Sequence, residues 1–122
     1  MALSAPFLPF YALARRVRRP PEWRVERALK ALRPQFQSAQ PPIIKSHVID
    51  DWVTPTRVTV FLVCAHERDR PILESQLDRL MAAIRTELKQ QEAPEVIAHG
   101  LQLQTVSKES IDRAGSFHNY FH

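Results

Sequence analysis

Glycine and cysteine are almost missing from this sequence: its 122 residues include two glycines, Gly100 and Gly115, and one cysteine, Cys64. Two isolated glycines cannot build a phosphate-cradling loop or a dinucleotide fingerprint, because both need several glycines for close backbone approach. The common nucleotide-dependent enzymes are excluded on that ground. One cysteine excludes an intrachain disulfide and a zinc site made of cysteines alone. Long apolar runs are missing as well. The N-terminal apolar stretch is far shorter than the roughly 20 residues of a membrane span, and Pro6 and Pro9 interrupt it. Its positive charges follow the apolar residues, the reverse of a secretory signal. The first 21 residues hold four arginines and no acid, which a mitochondrial presequence would also show. The expectation is a protein without a membrane span, not secreted, in the reducing cytoplasm.

The charge that is present sits unevenly. Residues 1–30 carry seven basic groups (Arg15, Arg16, Arg18, Arg19, Arg24, Arg27 and Lys30) against two acids, Glu22 and Glu26. The other 92 residues carry ten basic groups against eleven acids. The net charge of +4 therefore belongs to an N-terminal arm attached to a nearly neutral body, and an acidic partner for that arm is implied. The arm is also rich in apolar residues. Phe7, Leu8, Phe10, Tyr11, Leu13 and Val17 lie on a segment too short to fold alone, so it folds back on the body or inserts into a neighbour. In the second case Arg15, Arg16, Arg18 and Arg19 form an interface rim. At the other end Phe117, Tyr120 and Phe121, together with Trp52, supply a second contact surface.

The body divides into alternating elements. Pro20 and Pro21 open an amphipathic helix over residues 22–33, with Val25, Ala28, Leu29 and Leu32 on one face, and Pro34 is expected to end it. Residues 35–42 form a loop and 43–49 a strand. Residues 57–65 are the clearest strand: Val58, Val60, Leu62 and Cys64 face one way and Phe61 and Val63 the other, which suits a central strand covered on both sides. One long helix is expected over 70–91, because Leu73, Leu77, Leu80, Met81, Ile84 and Leu88 form a single stripe. A strand over 96–106 follows. Ser107 caps a short helix that Gly115 stops, and an aromatic tail closes the sequence. The expected fold class is α+β: a three- to four-stranded sheet packed by one long and one shorter helix. Residues 1–20 are the docking arm and 21–122 a single domain.

Chemistry-bearing residues do not converge in this pattern. Cys64 shares a strand face with Val58, Val60 and Leu62, which makes it a buried, inert thiol rather than a nucleophile activated by His66. Asp50 and Asp51 read as a polar turn. His118 and His122 share a face in either helix or strand, but no second ligand pair has the spacing of a zinc site. No catalytic residue, cofactor or metal is expected, and the protein is expected not to be an enzyme.

The strand Arg57-Val58-Thr59-Val60-Phe61-Leu62-Val63, the connection His66-Glu67-Arg68-Asp69-Arg70 and the helix from Ile72 to Leu88 resemble the small tail-terminator or tail-completion proteins of tailed bacteriophages. That resemblance implies an α+β subunit assembling into a ring through sheet edges and extended arms. The expected function is thus a structural subunit docking into a larger complex, a phage tail or neck, as a homo- or hetero-oligomer. The alternative is a nucleic-acid-binding accessory protein using the Arg cluster. If the arm docks on protein subunits, deleting residues 1–19 lowers the mass of the assembly seen by size-exclusion chromatography and abolishes partner capture. An unchanged elution volume and unchanged capture would remove the docking role.

Overall fold

One strand organises the molecule. In a computed structural model, which describes residues 20–50 and 57–116, the segment Val58–Cys64 (β2) is the middle of a three-stranded sheet. Its β-branched and aromatic residues suit a pleated surface packed on both sides. Lys45–Asp50 (β1) pairs with it antiparallel and Leu101–Ser107 (β3) parallel, giving the order β1-β2-β3. A parallel pair cannot be joined by a tight turn and needs a crossover of a dozen or more residues. That crossover holds a 3-10 turn (Glu67–Asp69), α2 (Arg70–Glu74), α3 (Leu77–Gln90) and α4 (Glu95–His99). Helix α1 (Pro20–Gln37) precedes the sheet and α5 (Lys108–Ala114) follows it. The α+β class expected from the sequence is the class observed.

The two faces of the sheet carry unequal cores. Val58, Val60, Leu62 and Cys64 of β2, with Leu101 of β3, pack beneath Val25, Ala28, Leu29 and Leu32 of α1 and Leu80, Ile84 and Leu88 of α3. Each large aliphatic side chain buried there contributes about 1.5–3 kcal/mol relative to exposure. The opposite face holds a smaller cluster, Phe61, Val63 and Val106, against which Ile111 of α5 packs. Register produces this split. Val58 opposes Leu101 and Val60 opposes Leu103 on the helical side, whereas Thr59 opposes Gln102 and Phe61 opposes Gln104 on the other.

Three boundaries differ from the sequence pattern. Helix α1 continues through Pro34 to Gln37, because Phe36 is 4% exposed and anchors the extra turn in the core. A proline there forfeits one backbone hydrogen bond, which burial of an aromatic ring outweighs. The long helix is interrupted at Ser75 and Gln76, so α2 and α3 are separate. The Ser75 hydroxyl donates to the Ile72 carbonyl at 2.6 Å, and the Gln76 N–H reaches only three residues back, to Leu73, tightening the turn. Leu73 still reaches the core across this break. Finally, residues 95–99 are helix and not strand. Pro94 precedes the first turn, Gly100 follows the last, and only Ile97 of the pair Val96–Ile97 is buried, with Val96 50% exposed. The strand therefore begins at Leu101. Ser107 and Gly115 bound α5 as expected, the Ser107 Oγ accepting from the Ser110 N–H and Gly115 adopting φ 94°.

No helix among the described residues is long and apolar enough to cross a membrane. Ile84 is fully buried between α1 and the sheet, so Ile84→Ala is expected to cost about 2–5 kcal/mol, read as a lower urea midpoint with an unchanged slope.

Candidate functional site

The predicted contact residues of the arm (Phe7, Leu8, Phe10, Tyr11, Leu13, Arg15, Arg16, Arg18 and Arg19) and of the tail (Phe117, Tyr120 and Phe121) lie outside the described residues, as do Trp52, His118 and His122. Two other constellations emerge from the fold.

The first is a polar knot at the carboxyl ends of the parallel strands. Register places Cys64 beside Ser107 as β2 and β3 end. Ser107 is fully buried, and its hydroxyl donates to Glu67 Oε1 at 2.8 Å while accepting the Ser110 N–H. The Ser110 hydroxyl donates to the same oxygen at 3.0 Å. Arg70 Nε donates to Glu67 Oε2 at 2.8 Å, and the Glu67 N–H donates to Glu109 Oε1 at 2.8 Å. These bonds tie the crossover to the start of α5. They hold the Glu67 carboxyl below the usual glutamate range, the Arg70 hydrogen bond contributing most and Ser107 next. His66 Nδ1 lies 3.5 Å from Glu109 Oε1, a contact that is ionic only when the imidazole is protonated.

Glu67, Ser107, Ser110 and Arg70 bond to one another, which is the chemistry of a clamp. Cys64 beside it is 0% exposed, and its thiol lies 3.4 Å from the His66 carbonyl oxygen. Burial pushes its pKa up, with Asp69 and Glu67 adding to the shift against a backbone hydrogen bond, so the reactive thiolate is disfavoured. Among the described residues no group of three or more His, Cys, Asp or Glu is placed to hold a metal ion.

The second constellation is cationic. Helix α1 buries Val25, Ala28, Leu29 and Leu32, which turns Trp23, Arg27 and Lys30 outward at spacings of four and three. Trp23 is 47% exposed, and the Arg24 and Arg27 guanidinium carbons lie 5.8 and 5.5 Å from its ring centroid. Such contacts hold a large aromatic ring in place at the surface. Toward the sheet, α1 and β1 border a groove of about 500 Å³, with Lys30 and Arg33 on its helical wall and Glu26 as the one acid lining it. The ion pairs between described residues (Arg70 with Glu67 and Glu74, Lys108 with Asp112, His66 with Glu109) leave these cations aside. Burial, and then the Lys45 charge, push His47 on β1 below the ordinary imidazole range.

The sequence pattern placed Arg24, Arg27 and Lys30 on the polar side of a helix without making a site of them. Arg33 continues them on the same helix, and the groove beside it requires the β1–β2 pairing that sets Ser46 and Val48 opposite α1. No family model, no curated protein and no solved structure matches the chain.

The knot yields a pH signature. Because the Glu67 carboxyl is more acidic in the fold than in the unfolded chain, its ionised form stabilises the fold above the ordinary glutamate pKa of about 4.3. That contribution drains away as pH falls through the folded value. Glu67→Gln is expected to lower the urea midpoint at pH 7 and to converge with the wild type at pH 3; equal midpoints at pH 7 would deny the clamp its role.

Proposed function

We propose that the protein is a non-enzymatic nucleic-acid-binding accessory protein, and that it grips the phosphodiester backbone with the outward face of α1 and the arginines that precede it. The observation that carries this reading is the exposed Trp23 ring braced by Arg24 and Arg27, on a helix whose outer side continues with Lys30 and Arg33. Cations neutralise phosphates and release their counterions, and an exposed aromatic offers a stacking platform that tolerates any base. In sequence the arginine run 15–19 stands apart from its aromatics; on α1 an aromatic and its cations are interleaved. Arg15, Arg16, Arg18 and Arg19 precede this helix in the sequence and add to the positive charge of the N-terminal segment.

An assembly subunit is the second reading, and the β1 edge favours it. That edge has no partner strand among the described residues, and Ile44 and Ile49 are exposed along it. An open edge with apolar side chains invites pairing with another chain. The likeness to tail-terminator proteins would place such a subunit in a virion ring.

Nucleic-acid binding has a quantitative mark. Fluorescence anisotropy with labelled oligonucleotides should show affinity falling steeply and linearly on a log–log plot against salt. Changing Arg15, Arg16, Arg18 and Arg19 together to Ala should reduce that slope by about 3. Trp23→Ala should weaken binding at every salt concentration without changing the slope. Salt-insensitive binding, or none at low salt, eliminates the reading.

A further inference from the structure

We infer that the groove between α1 and β1 is the seat of the bound strand, and that the ligand it takes is a single-stranded nucleic acid rather than a duplex. This inference rests on the nucleic-acid reading above and narrows it to a substrate class and a path.

The groove has two chemically distinct parts. Leu29, Phe36 and Ile43 form its floor, and Ile44, half exposed, stands at its lip. Lys30 and Arg33 stand on the helical wall, and Ser46 and Val48 on the strand wall. Lys30 and Arg33 are both exposed, whereas Lys45 opposes Val63 on the other face of the sheet and adds no charge to the mouth. Glu26, the acid among the lining residues, already takes part in an interaction of its own. The net field at the mouth is therefore positive over an apolar bottom. A single strand matches that arrangement, since its phosphates meet the cations while an unstacked base presents an apolar face to the floor. A duplex keeps its base faces stacked inside and could offer the groove only phosphates. The volume of about 500 Å³ lies within the ~300–1,000 Å³ of ligand sites.

The outward stripe of α1 joins this groove without a break. Lys30 belongs to both, and Trp23 lies seven residues earlier, a rise of about 10 Å along the helix axis. A strand leaving the groove past Lys30 thus meets the Trp23 ring within a few nucleotides. The β1 wall is held in place by its pairing with β2 along its whole length and by the Ile44 N–H donating to the Val63 carbonyl at 2.8 Å. The path is therefore rigid on both sides.

The test uses the full chain and labelled RNA and DNA strands of roughly 12 nucleotides, each also as a duplex, in anisotropy titrations across salt. Single strands are expected to bind about tenfold more tightly than duplexes. Lys30→Gln and Arg33→Gln should each weaken single-strand binding several-fold and lower the salt slope by about 0.7. Lys108→Gln, at the far end of the sheet, should leave both unchanged. Because all three positions are exposed, urea midpoints should match the wild type, which separates lost binding from lost folding. Amide resonances of residues 44–48 should shift on adding the strand. Duplexes bound as tightly as single strands, or Arg27→Gln impairing binding while Lys30→Gln and Arg33→Gln do not, overturns the inference and leaves the broader reading standing. An acidic peptide that binds as tightly as the strand, with the same dependence on Lys30 and Arg33, overturns it in favour of a protein ligand. Absence of binding by any nucleic acid at low salt overturns both.

Discussion

Burial of β2 on both faces is the constraint on which the rest of the structure depends. An interior strand can leave no backbone donor or acceptor unpaired, so it requires a neighbour on each side. β1 and β3 meet that requirement with opposite orientations. The parallel partner demands a long crossover, and the crossover supplies α3, whose stripe then covers the strand. Helix α1 fills the remaining area of the same face. From one apolar segment of seven residues follow the pairing, the crossover and the helical layer.

The two ends of the sheet are finished differently. At the carboxyl ends of β2 and β3, charges are consumed internally: Glu67 accepts bonds from Ser107, Ser110 and Arg70, and the knot rigidifies the start of α5. Partial burial strengthens each of these bonds and makes an unpaired member costly, so the cluster persists as a unit. Along α1 and β1 the reverse holds. Arg27, Lys30, Arg33 and Lys45 stay exposed, and their charge is directed at solvent. Charges placed there add nothing to the core.

Much of the fold was legible in residue order because burial writes itself into periodicity. The alternation in 58–64, the stripe on 73–88 and the Ser107–Gly115 bracket all correspond to observed elements. What periodicity missed were places where two local preferences compete. Ser75 takes a carbonyl from its own helix, and no apolar spacing reports that. Val96 and Ile97 look like strand residues, yet the positions of Pro94 and Gly100 leave room for a single helical turn, with Ile97 against the core. Pro34 looks like a terminator until Phe36 is seen to have a pocket.

Composition alone determined that the protein has no disulfide within the chain and no glycine-rich phosphate loop, since both need residues it does not possess. Residue order also determined that charge concentrates before residue 34. Tertiary structure decided which of those charges become a surface. Ser46 and Val48 are distant from Arg33 in sequence and face it across one groove only because β1 pairs antiparallel with β2 and α1 lies over the same face. It likewise decided that Cys64 lies in the interior and that Glu67 is tied to α5, because register sets Ser107 beside Cys64 and the Ser107 hydroxyl donates to Glu67.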